Sequence, residues 1–187
     1  MDPMDEIATL LAELWSRNEL APLCLSTLGA DGFPNSRFVD LKAVSEGRLH
    51  FGTDSRSPKA LEFHQVKEVS LCSWWPSLQV QVRVRGTIER ASASISDREF
   101  AKRSPVAQAI ASTSVQSQEI ASLDGLRQRL REFHAVGGTP VSRPATWWVY
   151  AVLPHQIEIL RFSEDRIHVR KDYQKLGDEW RERLLSP

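Results

Sequence analysis

The segment Gln79-Val80-Gln81-Val82-Arg83-Val84-Arg85 alternates without a break between a branched apolar residue and a long polar one. A side-chain period of two belongs to a β-strand, where successive side chains leave opposite faces. The three valines therefore share one face, and Gln79, Gln81, Arg83 and Arg85 share the other. No other stretch of the chain fixes its local structure so firmly.

Its surroundings read as more strands, bounded by turns and a few helices. Between Pro22 and Arg90, short runs such as Leu23 to Leu28, Ser36 to Leu41, Leu49 to Phe51 and Val69 to Trp74 are separated by turn residues at Ala30-Asp31-Gly32 and Ser45-Glu46-Gly47, which predicts a meander of antiparallel strands over residues 22–90. Ile7, Leu10, Leu11, Leu14 and Trp15 recur at helical spacing, so residues 1–20 open the chain with an amphipathic helix. Ser57-Pro58 predicts a helix start, with Ser as N-cap and Pro at the first position, running to about His64. Ser96-Asp97-Arg98-Glu99 has the S-x-x-E pattern of a capping box, placing another start near Asp97. A break precedes Pro105, and Leu123, Leu126, Leu130 and Phe133 continue the helical segment of residues 94–135, closed by Gly137-Gly138-Thr139-Pro140. Trp147 to Leu153, Gln156 to Phe162 and Arg166 to Arg170 predict returning strands within residues 144–187. An alternating βαβ order is absent, which favours a mainly β (α+β) fold, an antiparallel sheet or barrel with flanking helices, over a doubly wound one.

At 187 residues the chain is one domain, 1–187, with room for a sizeable core. Its 24 basic and 24 acidic side chains cancel, which leaves no footprint for nucleic acid or an anionic membrane and makes any anion site local. Cys24 and Cys72 are too few for a disulfide framework and lie in apolar runs, so both are expected to be small buried hydrophobes of a reducing compartment. No apolar run has the ~18 residues of a membrane span, and the acidic start is unlike a signal peptide, so a cytoplasmic location is expected. The five histidines show no metal-ligand spacing, and no metal is expected. Trp74, Trp75, Trp147 and Trp148 read as core or interface aromatics.

Three cationic groupings stand out. Arg166, His168 and Arg170 lie at i, i+2 and i+4, so on a strand they point to one side at about 6.8 Å intervals, either to hold an anion or to form a solvated face. Ser57 and Lys59 lie at a predicted helix N-terminus, where free N–H groups favour a phosphate; a plain N-cap with an exposed lysine is the alternative. Arg37 and Lys42, five residues apart, fall on opposite faces of a regular strand and can share a ligand only at a bulge or strand end.

The order of these groups is more informative than any one alone. Arg37-Phe38-Val39-Asp40-Leu41-Lys42, then Thr53-Asp54-Ser55-Arg56-Ser57-Pro58-Lys59-Ala60, Gln81, Gln116-Ser117, Gln156-Ile157-Glu158 and Arg166-Ile167-His168-Val169-Arg170 through to Leu185-Ser186-Pro187 resemble the pyridoxamine 5′-phosphate oxidase family from Pro22 to the end of the chain. The resemblance implies an FMN-binding split β-barrel that works as a homodimer, with flavin at the subunit interface and residues 144–187 including a dimerisation segment. It implies that Arg37 and Lys59 hold the FMN phosphate with Thr53 and Ser57, and that Phe38, Val39, Lys42, Gly52 and Gln81 surround the flavin. Gln116, Ser117 and Arg170 complete the implied cofactor contacts. Arg166 and His168 match the family's substrate residues near the reacting carbon, and Arg103 and Lys42 those that reach the substrate phosphate.

The implied reaction is hydride transfer from pyridoxamine or pyridoxine 5′-phosphate to FMN, giving pyridoxal 5′-phosphate, with dioxygen reoxidising the flavin; the cofactor carries the chemistry and the protein orients it. The chain departs from the family pattern at four positions. Pro58 replaces an arginine beside Lys59, with Arg56 near enough to supply a charge, and Leu160 replaces a tryptophan of the cofactor pocket. Glu99 and Ala107 stand where the family has a tyrosine and a serine at the substrate phosphate. Each charge-assisted hydrogen bond is worth about 1.5–3 kcal/mol, so the last two favour a sister FMN oxidase with another substrate, as in the phenazine-biosynthesis branch. A flavin- or haem-binding module without turnover is the third expectation, argued from Leu160 and opposed by Arg166 and His168.

Overall fold

A computed structural model describes residues 2–136 and 141–187. Helix α1 (Pro3–Ser16) is capped by Asp2, whose carboxylate accepts the Met4 N–H at 2.8 Å, and buries Ile7, Leu10, Leu11 and Leu14 while Trp15 stays at the rim. Nine strands follow the expected sheet texture: β1 (Pro22–Leu28), β2 (Pro34–Asp40), β3 (Ala43–Ser45), β4 (Arg48–Asp54), β5 (Glu68–Trp75), β6 (Val80–Arg90), β7 (Trp147–Arg161), β8 (Val169–Leu176) and β9 (Glu179–Leu185). Helices α2 (Pro58–Gln65), α3 (Ala93–Ala101), α4 (Pro105–Thr113) and α5 (Leu123–Val136) lie between them. No helix among the described residues is long and apolar enough to cross a membrane.

Every strand pair is antiparallel, in the order β2-β1-β5-β6-β7-β4-β3, with β8 added to β7 and β9 to β8. The sheet is curled into a split barrel around one apolar core, into which α1 inserts its buried face. The expected meander over residues 22–90 is corrected here. The β3–β4 hairpin does not sit beside β2; β4 crosses to pair with β7, because its burial on both faces requires an interior neighbour. Val80, Val82 and Val84 point into the core and Gln81, Arg83 and Arg85 outward, as the alternation requires.

β7 is one strand where two were expected. Its first half pairs with β4 and its second with β8, while β6 runs along its other edge. The β6–β7 register shifts between Arg85 and Gly86, opposite Pro154, and a Cβ on Gly86 would lie 2.2 Å from the Leu153 carbonyl oxygen.

Four further expectations are corrected. Cys24 and Cys72 are not buried: Leu23, Leu25 and Leu71 take the core face, so period two turns both thiols outward, where they sit opposite each other on β1 and β5 as free cysteines. The capping box at Ser96 does not form, because Ser92 caps α3 four residues earlier, and Ser96 lies inside the helix, accepting the Val149 N–H. The segment from Arg166 to His168 is not a strand: the chain turns at Glu164–Asp165 and bends at Arg166, whose φ is 64°, and β8 begins only at Val169. Ser57 occupies the N-cap of α2 but does not cap it; its hydroxyl donates to the Asp54 carbonyl at 2.7 Å. Residues 137–140, expected to close the last helix, lie outside the described residues.

Gly86→Ala is expected to cost about 1–3 kcal/mol, since the added methyl meets backbone that cannot swing aside. A urea-unfolding midpoint equal to that of the wild type would show that the bulge tolerates a side chain.

Candidate active site

β2 and β4 form no ladder with each other, and a cavity of about 350 Å³ opens between them. Phe38, Val39 and Asp40 of β2 form one wall and Gly52, Thr53 and Asp54 of β4 the other. Lys59 of α2, Trp147 of β7, and Arg103 and Gln116 from the connections around α4 complete it. Phe38 is 74% exposed although it lines this cavity, so one side of the site is open.

Lys59 dominates the electrostatics. Only 6% of it is exposed, and its ammonium donates to Thr53 Oγ1 at 3.2 Å and Gln116 Oε1 at 3.1 Å. Among the described residues no carboxylate lies within 4 Å of it, although burying a cation without a counter-charge is costly. Burial first, and then the charge of Arg37, lower its pKa to about 8. A lysine in that state, one position inside the N-terminus of an eight-residue helix, is a seat for an anion.

The remaining predicted cations are distributed differently. Arg37 is occupied by Glu62 at 3.0 Å and by Thr27, and does not line the cavity. Lys42 lies beyond the end of β2, bonded to Asp40, and lines a second cavity. Arg56 does not replace the charge lost at Pro58, because Asp54 holds it through Nε at 3.0 Å and Nη2 at 2.7 Å. Burial pushes the Asp54 carboxyl up, but the Arg56 bonds and charge outweigh it and hold the pKa below the usual value. Arg103 lines the first cavity, with its guanidinium 5.1 Å from the Trp147 ring centre and its Nη2 donating to the Ala107 carbonyl. Ser117, in a turn at φ 66°, does not reach the cavity.

Gln81, Arg166, His168 and Arg170 also lie outside the cavity, on the outer face of β6–β8 and the turn between β7 and β8. Arg170 donates to Glu158 at 3.1 Å and to the Ser186 carbonyl, and His168 Nδ1 accepts the Ser163 N–H at 3.1 Å. The His168 ring lies 4.6 Å from Phe162, and Phe162 lies 4.6 Å from Trp74, which is 45% exposed and opposite Gln81. An aromatic cluster thus frames a second polar patch on this face. The folded chain puts some candidate residues in the first cavity and Gln81, Arg166, His168 and Arg170 on the outer face, while Arg37, Lys42 and Ser117 belong to neither group.

Sequence reasoning missed Trp147 and Asp40 as cavity residues. Trp147 left a trace in Gly52, since a Cβ there would meet the indole at 2.2 Å; a glycine inside a strand marks a close approach. Glu99 is not the capping residue expected; it is 7% exposed and accepts Lys102 Nζ at 2.7 Å.

Lys59 makes the stability of the ligand-free protein pH-dependent. Its folded pKa lies below its unfolded one, so the penalty for burying the charge is full below about 8 and fades as the pH rises toward about 10.5. Lys59→Met is therefore expected to unfold at higher temperature than wild type at pH 7, with the gap narrowing by pH 10; a constant gap would mean that Lys59 is not desolvated.

Comparison with known proteins gives this geometry its context. The sequence profile described as pyridoxamine 5′-phosphate oxidase matches residues 9–137. A pyridoxine/pyridoxamine 5′-phosphate oxidase of Legionella pneumophila is 36% identical over 175 residues, covering 91% of this chain and 80% of the relative. One from Thermosynechococcus vestitus is 35% identical over 188 residues, covering 100% of this chain and 89% of its own. Among solved structures, PhzG from Burkholderia lata in complex with tetrahydrophenazine-1-carboxylic acid superposes with a TM-score of 0.90 at 27% identity, over 99% of this chain and 92% of that one. The chain belongs to the pyridoxamine 5′-phosphate oxidase family of FMN-dependent oxidoreductases.

Proposed function

We propose that the chain is an oxidase that removes a hydride from a small anionic ring substrate held against FMN, with each site assembled from two copies of the chain. The observation that carries this reading is Lys59, a buried cation with no carboxylate partner at the head of a cavity in the split of the barrel. It fits the FMN phosphate, with Thr53 and the N-terminus of α2 beside it. Val39 and its neighbours on β2, an edge strand, offer unpaired backbone groups to the polar rim of the ring. FMN, when bound, supplies the hydride acceptor and passes the electrons to dioxygen.

The division of the candidate residues supports a second copy. Gln81, Arg166, His168 and Arg170 lie outside the Lys59 cavity of their own chain, and a two-fold axis brings such a patch over the partner's cavity. In this arrangement Arg166, exposed on its turn, covers the substrate and fixes the reacting carbon over the ring. His168, with Nδ1 engaged by the Ser163 N–H, turns its other ring nitrogen toward the substrate and orients its polar groups.

The names of the relatives make pyridoxine and pyridoxamine 5′-phosphates the first substrates to test. A second reading, a sister oxidase of another ring acid, is favoured by Glu99, a carboxylate near Arg103 where the family has a phosphate-binding tyrosine.

On the first reading, FMN-loaded protein mixed anaerobically with either B6 phosphate bleaches the flavin and regains colour in air. Tight flavin binding without bleaching would exclude the first reading. Arg166→Ala is expected to slow flavin reduction at least a hundredfold while FMN affinity changes less than threefold, and equal losses would remove Arg166 from the substrate site. Co-expressed Lys59→Ala and Arg166→Ala chains, each inactive alone, are expected to regain about a quarter of wild-type activity, because half of the dimers are mixed and each mixed dimer has one intact site. No recovery would place both residues in the same subunit's site.

A further inference from the structure

A second cavity, of about 280 Å³, adjoins the first at Asp40 and Arg103, which line both. Its charged lining consists of Glu19, Asp40 and Glu99 against Lys42, Lys102 and Arg103, so its formal charge is zero. The charges are nevertheless sorted. Asp40 holds the Lys42 ammonium, Glu99 accepts Lys102 Nζ at 2.7 Å and faces Arg98 at 3.5 Å, and Glu19 accepts the Ser77 hydroxyl at 2.7 Å.

Arg103 is the exception. Among the described residues no carboxylate lies within 4 Å of its guanidinium, and its Nε is buried without a hydrogen-bond partner. Burial alone displaces its pKa downward, as expected of a cation with no counter-charge nearby. The Trp147 ring under it and the Ala107 carbonyl at 3.2 Å hold it in place at the junction of the two cavities.

We infer that Asp40 and Glu99 determine substrate charge at this end of the site, neutralising the lysines so that Arg103 alone remains to receive a ring carrying one carboxylate in preference to a phosphate dianion. The inference rests on reading the Lys59 cavity as the flavin site, and it decides between the two substrate readings given above. A phosphate monoester brings a charge of about −1.5 to −2 near neutral pH, more than one guanidinium balances where Lys42 and Lys102 are already engaged by Asp40 and Glu99. A carboxylate matches one guanidinium in charge and, bonded bidentately, in shape. Asp40 acts at the place where the resemblance puts a phosphate lysine, because it removes Lys42 from that task.

The test is binding to FMN-loaded protein, followed by the shift in flavin absorbance, with two unreactive ring anions: phenazine-1-carboxylate and 4′-deoxypyridoxine 5′-phosphate. Wild type is expected to bind the carboxylate at least tenfold more tightly. Asp40→Asn and Glu99→Gln are each expected to narrow that preference, and the double variant to narrow it at least tenfold by binding the phosphate more tightly. Arg103→Leu is expected to weaken both ligands at least tenfold. Wild type that prefers the phosphate, or a preference unchanged in the single and double variants, would overturn the inference and leave the flavin site standing. A flavin spectrum that neither ligand perturbs, in wild type or variants, would overturn the flavin-site reading and this inference with it.

Discussion

The architecture depends on how β7 is paired. Over its 15 residues this strand accepts β6 along one edge and, on the other, first β4 and then β8. Backbone groups in a sheet interior must be paired, so the length of β7 and the bulge at Gly86 decide where the barrel curls. Because β4 is held on β7 rather than on β2, the sheet runs from β2 to β3 without closing, and the part of β4 beyond the short β3 ladder faces β2 across a gap. The cavity is therefore a product of strand order, and a closed ladder at that position would leave no room for a ligand.

Around the gap, the chain treats its charges in two ways. Arg37, Arg56 and Arg170 are matched to Glu62, Asp54 and Glu158, and these partly exposed pairs are neutral fixtures worth little to stability individually. Among the described residues Lys59 and Arg103 have no carboxylate partner, and both are desolvated and line the first cavity. Two cations left in this condition cost the empty protein stability, which an anionic ligand restores. The distinction also explains why a list of basic residues in the sequence overstates the site.

Much of this was legible before folding was considered. The alternation from Val80 to Arg85 gave the strand and its inward face, and the Ser57-Pro58 pair located the start of α2 and with it Lys59. What escaped was non-local. Nothing in residues 22–54 says that β4 leaves β2 for β7, because the pairing partner lies about a hundred residues away in the chain. The outward turn of Cys24 and Cys72 follows from the neighbouring leucines, whose claim on the core face outweighs the apolar character of a thiol. Arg166 and His168 looked like strand residues because spacing of two is also compatible with a turn, and only the φ of 64° at Arg166 separates the two. Asp40 with Lys42 and Asp54 with Arg56 are visible as residues in the sequence, but their pairing is not.

The two ends of the site rest on different parts of the molecule. Thr53 and Lys59 are fixed by the barrel and α2, whose packing belongs to the main core, whereas Glu99 and Arg103 hang from α3 and the connection after it. That region has its own small core, in which Phe100 meets Trp147 and Val149. Substitutions at Glu99 and Arg103 thus leave the main core untouched, and of Phe100, Trp147 and Val149 only Trp147 also walls the Lys59 cavity. Such separation lets a lineage change its substrate in small, individually viable steps while its redox chemistry is inherited intact.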